Sequence, residues 1–486
     1  MPEQTFYWFD YETFGTHPIW DRPCQFAGVR TDENLNIIGE PLVIYCRQSP
    51  DYLPNPHACR VTGLSPQAVN EKGVSEAQFI STILAEIGRP GTCSVGYNNI
   101  RFDDEFTRHT LFRNFHDPYE YEWKDSNSRW DLLDVVRLNR ALRPDGIVWP
   151  VNEDGSANNR LEQLSKANDI EHSNAHDALS DVYATLGMAR LIRQHQPKLF
   201  DYTFANRGKQ AVAKLLDPSK PEPCLLVSIA IPSSRHHTGV VLPLARLTEN
   251  QNRIIVLDLH YDPAELATLT VDEMQERMAS TTRKPTGGEE SERARLGLRV
   301  VQINKCPVVV PRSVLRESDA HRLNIDLRAI DHHMEQAMAL FKPETIDKIQ
   351  QTMAFRDQQA SVYVEAEGTL YTGGFLSRSD KERCATLRNA APVDIHDLAI
   401  HFENSRLREL ALRYQARNYP DSLDENQALR WREHCHDRLL NAAAPSLSLA
   451  EFDTILDEIQ WSEEQQSLYS DLRAYAQLLR SHAELA

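Results

Sequence analysis

Residues 5–12 read TFYWFDYE. Aromatic residues dominate this stretch, a composition that suits a pleated, half-buried surface and predicts a strand. Successive side chains of a strand point to opposite faces, so residues two apart share one face. Asp10 and Glu12 therefore look the same way. Two acids side by side on an apolar strand repel each other and lose hydration on burial, unless a cation compensates both. Taken alone, the pair also fits a solvated strand end.

Outward from this strand, CQFAGVRTD (24–32) and NIIGEPLVIYCR (36–47) read as two further strands, separated by turns bearing Pro and Gly. GVSEAQFISTILAEIG (73–88) sets Val74, Phe79, Ile83, Leu84 and Ile87 at helical spacing. TCSVGYN (92–98) reads as a short strand and FDDEFTRHTLFRNF (102–115) as a helix. DLLDVVRLNRAL (131–142) and RLEQLSKAND (160–169) are also helical, and AHDALSDVYATLGMARLIRQH (175–195) places Val182, Leu186, Ala189 and Ile192 on one side. Strands first, then alternating helix and strand, predict an α/β layered domain over 1–196. Beyond Pro197 the texture changes to short β-rich runs at 221–232, 239–247, 253–259 and 298–310, which predict a small barrel or sheet over 197–344. They are interrupted by STTRKPTGGEESERAR (280–295), a polar, charge-dense stretch that reads as a mobile loop. From about residue 345 the pattern is helical to the end.

Composition bounds the chemistry. A chain of 486 residues predicts about three domains at roughly 150 residues each. It contains no apolar run near the roughly 18 residues of a membrane span. The start, MPEQTFYWFDYE, lacks the basic-then-apolar order of a secretory signal, so a cytoplasmic location is expected. Eight scattered cysteines (Cys24, Cys46, Cys59, Cys93, Cys224, Cys306, Cys384, Cys435) form no C-x-x-C pair, which excludes a zinc ribbon and predicts buried free thiols. The formal charge of -17 argues against a polyanionic partner for the chain as a whole, although a local basic track would suffice for one.

Two more elements bear on the acids of the first strand. Asp103, in GYNNIRFDDEF, stands where a strand gives way to a helix, and there it fits either a cation ligand or a first-turn acid favoured by the helix dipole. Asp104 and Glu105 beside it suit the second purpose equally. His176 precedes Asp181 by five residues, which on a helix is about 500° of rotation, or about 140° apart. His176 therefore belongs at the helix entrance if both serve one site, and a capping or surface histidine is the alternative. Chemistry joins these elements. Two divalent ions about 3.5–4 Å apart suit hydrolysis of a phosphodiester. Hard cations take oxygen ligands, which Asp10, Glu12, Asp103 and Asp181 supply, and a neutral imidazole suits proton removal from the attacking water.

In chain order, Asp10-x-Glu12, Asn98–Asn99 through Phe102–Asp103, and His176-x4-Asp181 resemble the motifs of the DEDDh 3′-5′ exonucleases. The phrases DYETFGTHP, GYNNIRFDDE, NSRWDLLDV, IEHSNAHDALSDVYAT, INKCPVV and RYQARNYP are similar to bacterial exonuclease I (exodeoxyribonuclease I), from the start of the chain into its last third. The resemblance implies a ribonuclease-H-like exonuclease domain (1–196), an SH3-like β-barrel domain (197–344) and an α-helical C-terminal domain (345–486). Together these would form a C-shaped clamp around one strand. It implies processive 3′-to-5′ degradation of single-stranded DNA to deoxynucleoside 5′-monophosphates, in DNA repair and recombination. Asp10, Glu12, Asp103 and Asp181 would hold two Mg2+ ions, with Mn2+ as a substitute, and His176 would be the general base. Arg160 would contact substrate phosphate, and Glu12, Thr13 and Phe14 the terminal nucleotide, although Phe14 also fits a core. Arg101, Arg108 and Arg129 are candidates for phosphate contacts or simply solvated. The 280–295 stretch gains a DNA-contacting alternative. Arg143, Tyr202 and Arg316 would receive the C-terminal tail of the single-stranded-DNA-binding protein, and a monomer is expected. The rival readings are a proofreading or RNA-trimming DEDDh exonuclease and a non-catalytic DNA-binding module.

Overall fold

The computed structural model describes residues 3–171, 177–280, 296–358, 365–441 and 446–484. The chain divides into two compact units, the first made of Met1–Ser128, His172–Leu186 and Val362–Ala486, the second of Arg129–Glu171 and Gly187–Ser361.

The first unit is built on β1 (Thr5–Thr13), the strand expected from TFYWFDYE. It runs antiparallel to β2 (Pro23–Thr31), with Phe6 opposite Thr31 and Glu12 opposite Gln25, and β2 in turn pairs with β3 (Leu42–Tyr45). On its other edge β1 runs parallel to β4 (Thr92–Gly96), from Thr5 opposite Thr92 to Trp8 opposite Val95. A parallel pair needs a crossover. It is supplied by α1 (Pro56–Thr62), α2 (Pro66–Lys72) and α3 (Glu76–Ile87). Each begins at a side-chain cap, with Asn55, Ser65 and Ser75 accepting from backbone N–H groups of the first turn. Strand alternation then sorts β1. Tyr7, Phe9 and Tyr11 pack with Phe26 against Phe79, Ile80, Ile83 and Ile87 of α3 and Leu111 of α4 (Asp103–Arg113), which leaves Asp10 and Glu12 to the opposite face.

The C-terminal helices Ser405–Asn418, Glu425–Leu440, Leu449–Glu458 and Gln466–Glu484 belong to this same unit. Phe14, Tyr52 and Leu53 share an apolar cluster with Phe452, Leu456, Leu472 and Tyr475, and Phe112 and Phe115 share another with Phe402, Leu410 and Tyr414. Between these contacts lies a buried set of charges. Glu367, with its side chain 1% exposed, takes ion pairs from Arg22 (2.7 Å), Arg413 (3.2 Å) and Arg417 (2.5 Å), and Arg417 also reaches the fully buried Asp51 (2.6 Å). The ion pairs hold both acids ionised, well below the usual carboxylate range despite burial.

The chain passes from the first unit into the second along β5 (Ser128–Asp131). The second unit carries an antiparallel sheet in the order β10-β6-β7-β8-β9: β6 (Cys224–Val227), β7 (Thr238–Arg246), β8 (Arg253–Asp258), β9 (Leu298–Gln302) and β10 (Val309–Pro311). Its core joins Leu226, Val241, Ile254, Val256, Val301 and Val309 to Val212 and Leu216. The β-rich runs beyond Pro197 are thus strands, but helices Pro197–Ala205, Val271–Ser280 and Leu327–Met338 lie in the same span. The polar stretch at 281–295 lies outside the described residues, and among the described residues no helix is long and apolar enough to cross a membrane. The eight cysteines are free, all buried except Cys306.

Candidate metal centre and active site

The site grows from the point where the parallel ladder stops. Pairing of β1 with β4 ends at Trp8 and Val95, so among the described residues the edge of β1 beyond it has no strand partner on that side. The chain turns away after Gly96, where a Cβ would come within 2.7 Å of the Asn99 side chain, and Asn98 takes a left-handed φ of 70°. This turn sets Asp103, the first residue of α4, against the free edge. Its Oδ1 accepts a hydrogen bond from the Tyr11 backbone N–H at 3.2 Å, between the two acids of β1. Thr107, one turn along α4, has its hydroxyl 2.9 Å from the Asp103 carbonyl and within hydrogen-bond distance of the Tyr11 hydroxyl (3.0 Å), fixing the helix on the strand.

The fourth acid comes from the helix Ala178–His195. Asp10, Glu12 and Asp181 each present a carboxylate oxygen within 4.8 Å of the other two. Burial, then the charge of Asp103, then Glu12, Asp181 and Asp177, push the Asp10 carboxyl well above its usual range. Glu12 is pushed from 4.5 to about 9 by burial, Asp181, Asp103 and Asp177 in that order. Acids so placed either keep protons or share a cation. All donors are carboxylate oxygens, which suits a hard divalent ion and not a soft one.

Two residues here escaped the sequence reading. Gln25 sits opposite Glu12 and is 2% exposed, and its Nε2 donates to Tyr45 Oη and to Asp177 Oδ1, both at 3.1 Å. The Asp177 carbonyl accepts the Asp181 N–H at 3.1 Å. One amide thereby ties the sheet to the start of the helix that carries Asp181. No sequence signal marks Gln25, because it is strand register that brings it beside Glu12.

His176 lies outside the described residues. The Thr13 hydroxyl donates to the Gly15 carbonyl at 2.6 Å. Phe14 is fully buried in the apolar cluster around Tyr52, so its ring has no open face for stacking on a nucleotide, and the core alternative describes it. Its carbonyl accepts from Tyr52 Oη (3.0 Å) and from the Asn55 N–H (2.7 Å), which holds the turn after Glu12 in place. Arg108 is committed to Glu122 (2.6 Å) and Glu105 (2.9 Å). In the second unit, Arg160 is exposed at the start of the helix Leu161–Ala167. Arg143 donates to Asp319 Oδ2 (2.9 Å) and the Val314 carbonyl (3.0 Å). Arg316 is exposed, burial and then the charge of Arg316 disfavour the charge of Arg143, and Tyr202 is half-buried on the helix Pro197–Ala205.

An α/β sheet with carboxylates gathered on the central strand is the arrangement of a metal-dependent nuclease, and the family model described as Exonuclease matches residues 7–189. Models described as Exonuclease I SH3-like domain and Exonuclease I C-terminal domain match residues 207–355 and 364–479. The chain is 44% identical to exodeoxyribonuclease I of Haemophilus influenzae over 441 residues, covering 90% of this chain and 91% of that one. Its fold is similar to that of Escherichia coli exonuclease I in complex with a dA16 oligonucleotide, with a TM-score of 0.89, 40% identity and 99% of each chain covered. It is likewise similar to exonuclease I in a complex with SSB-Ct, with a TM-score of 0.87, 39% identity and 99% of each chain covered. The chain belongs to the exonuclease I family. Its exonuclease fold and acidic cluster together imply use of a divalent metal.

Proposed function

We propose that this protein removes deoxynucleoside 5′-monophosphates one at a time from the 3′ end of single-stranded DNA, in DNA repair, with Asp10, Glu12, Asp103 and Asp181 holding two Mg2+ ions. The observation that carries the reading is the convergence of Asp10, Glu12 and Asp181 within 4.8 Å, with Asp103 bonded to the backbone between the first two. When bound, the ion pair stabilises the charge that builds on the scissile phosphate and on the leaving oxygen. The protein supplies the rest. Glu12 and Asp103 are buried at 7% and 3% exposure, so their charges act with little screening by water. The turn at Thr13, locked by Tyr52 and Asn55, offers backbone groups to the terminal nucleotide. His176, five residues before Asp181 in the sequence, takes the proton from the attacking water, and Arg160 neutralises a neighbouring phosphate.

The substrate reading is supported by the dA16 complex of a relative alike over nearly the whole chain. The SSB-Ct complex supports a partner, which we read as the acidic tail of the single-stranded-DNA-binding protein, received by Arg143, Tyr202 and Arg316. Matches at 7–189, 207–355 and 364–479 support a three-domain organisation with bounds 1–196, 197–344 and 345–486. The test is a time course on end-labelled single- and double-stranded DNA, with magnesium and then with chelator. Mononucleotides should appear from the 3′ end of the single strand only, and only with metal. Faster release of ribonucleotides from a matched RNA strand would overturn the substrate.

A further inference from the structure

A cavity of about 400 Å3 lies within the first unit between α4, the segment 115–127 and residues 370–406. That volume falls in the range of about 300–1,000 Å3 typical of small-ligand sites. Its walls include Phe112, Phe115, Tyr119 and Leu370, and at its mouth Phe375 is 91% exposed. Four cations line it. Lys124 is paired with Glu120 (2.7 Å) and Lys381 with Asp117 (2.8 Å), and Asp125 stands exposed at the rim.

The two arginines differ from the lysines. Arg388 donates to the Phe115 carbonyl, and Arg406 donates to the carbonyls of Thr369 (2.6 Å) and Gly374 (2.7 Å) with its guanidinium 5.4 Å from the centre of the Phe112 ring. Neither has a carboxylate partner among the described residues, and the Arg406 Nε is buried without an acceptor. Burial disfavours both charges. Arg388 spends one terminal nitrogen on a carbonyl and keeps the other edge of its guanidinium for an oxyanion, while Arg406, both of whose terminal nitrogens serve carbonyls, adds a partly buried positive charge beside the aromatic walls.

We propose that this cavity binds a nucleoside 5′-monophosphate, with its phosphate at Arg388 and Arg406 and its base among Phe112, Phe115, Tyr119 and Phe375. A phosphate monoester carries a charge of about -1.5 to -2 at neutral pH, which matches two guanidiniums outside any ion pair better than a single carboxylate does. The choice of a nucleotide rests on the proposed function, because that reaction releases this class of molecule; the cavity and its charges do not depend on it.

The experiment is calorimetric titration of the full chain with dAMP in excess chelator, so that the acid cluster holds no metal and repels phosphate. One binding event is expected. Loss of a charge-assisted contact in Arg388→Gln, and of an aromatic face for the base in Phe375→Ser, should each weaken it at least about tenfold. Phe375→Ser alters an exposed side chain, so an unchanged melting temperature in that variant separates loss of the site from loss of the fold. Deoxyadenosine alone should bind at least about tenfold more weakly than dAMP. Absence of binding, binding that survives both substitutions, or binding of N-acetylphenylalanine in preference to dAMP would overturn the proposal. Digestion of end-labelled DNA by the same two variants should match the wild type, so failure here leaves the nuclease reading standing and is distinguishable from its failure.

Discussion

Replacing Glu12 by Gln should stabilise the metal-free protein while destroying its activity. In the fold the Glu12 carboxyl is raised from its ordinary 4.5 to about 9, chiefly by burial and then by the neighbouring acids. Below pH 4.5 the folded and unfolded chains are both protonated there, and the site costs nothing. As pH rises from 4.5 toward 9 the unfolded chain releases the proton and the folded chain keeps it, so stability falls by about 1.4 kcal/mol per pH unit. At pH 8 the full penalty is on the order of 5 kcal/mol. Because the acids titrate as one set, replacing a single member should return part of it, about 2–3 kcal/mol. Urea unfolding with chelator at pH 5, 7 and 8 measures this. The variant should exceed the wild type by a margin that grows with pH, and added divalent metal should stabilise the wild type more than the variant. A variant no more stable than the wild type at pH 8 would refute the claim that these acids repel one another across a cation site.

Asp181→Ala should cut mononucleotide release by about 10²–10³-fold or more and leave single-strand binding largely intact; retained turnover would remove Asp181 from the site. Gln25→Leu should raise the magnesium concentration for half-maximal activity by about tenfold or more with little change in melting temperature, and Asp177→Asn, which keeps an acceptor for Gln25, should be milder than Asp177→Ala. Equal losses in the two Asp177 variants would mean that its charge, and not its bond to Gln25, matters. Glu367→Ala leaves Arg22, Arg413 and Arg417 without their shared carboxylate and should cost about 3–5 kcal/mol in urea unfolding. A cost under about 1 kcal/mol would show that the buried charges do not hold the C-terminal helices.

What could be read in the sequence is what depends on local periodicity. The two-residue repeat of β1 alone placed Asp10 and Glu12 on one face opposite Tyr7, Phe9 and Tyr11, and the structure keeps that sorting. The placement of Asp103 beside these acids was not legible in this way. It depends on where β4 stops pairing and on the turn at Asn98, while its neighbour Glu105 spends its carboxylate on Arg108 and Tyr371. Phe14 could have stacked or packed, and only the arrival of Phe452 and Tyr475, more than 400 positions later, decides for packing. A separation of 345 positions hid the ion cluster, since nothing about Arg22 or Glu367 in sequence announces the other.

Whether these carboxylates hold a divalent cation is measured by manganese binding, followed by electron paramagnetic resonance, to the wild type and to Asp10→Asn. The wild type should take up Mn2+ tightly, in competition with magnesium, and the variant should bind it about tenfold or more weakly. Equal Mn2+ binding by the two proteins would contradict this.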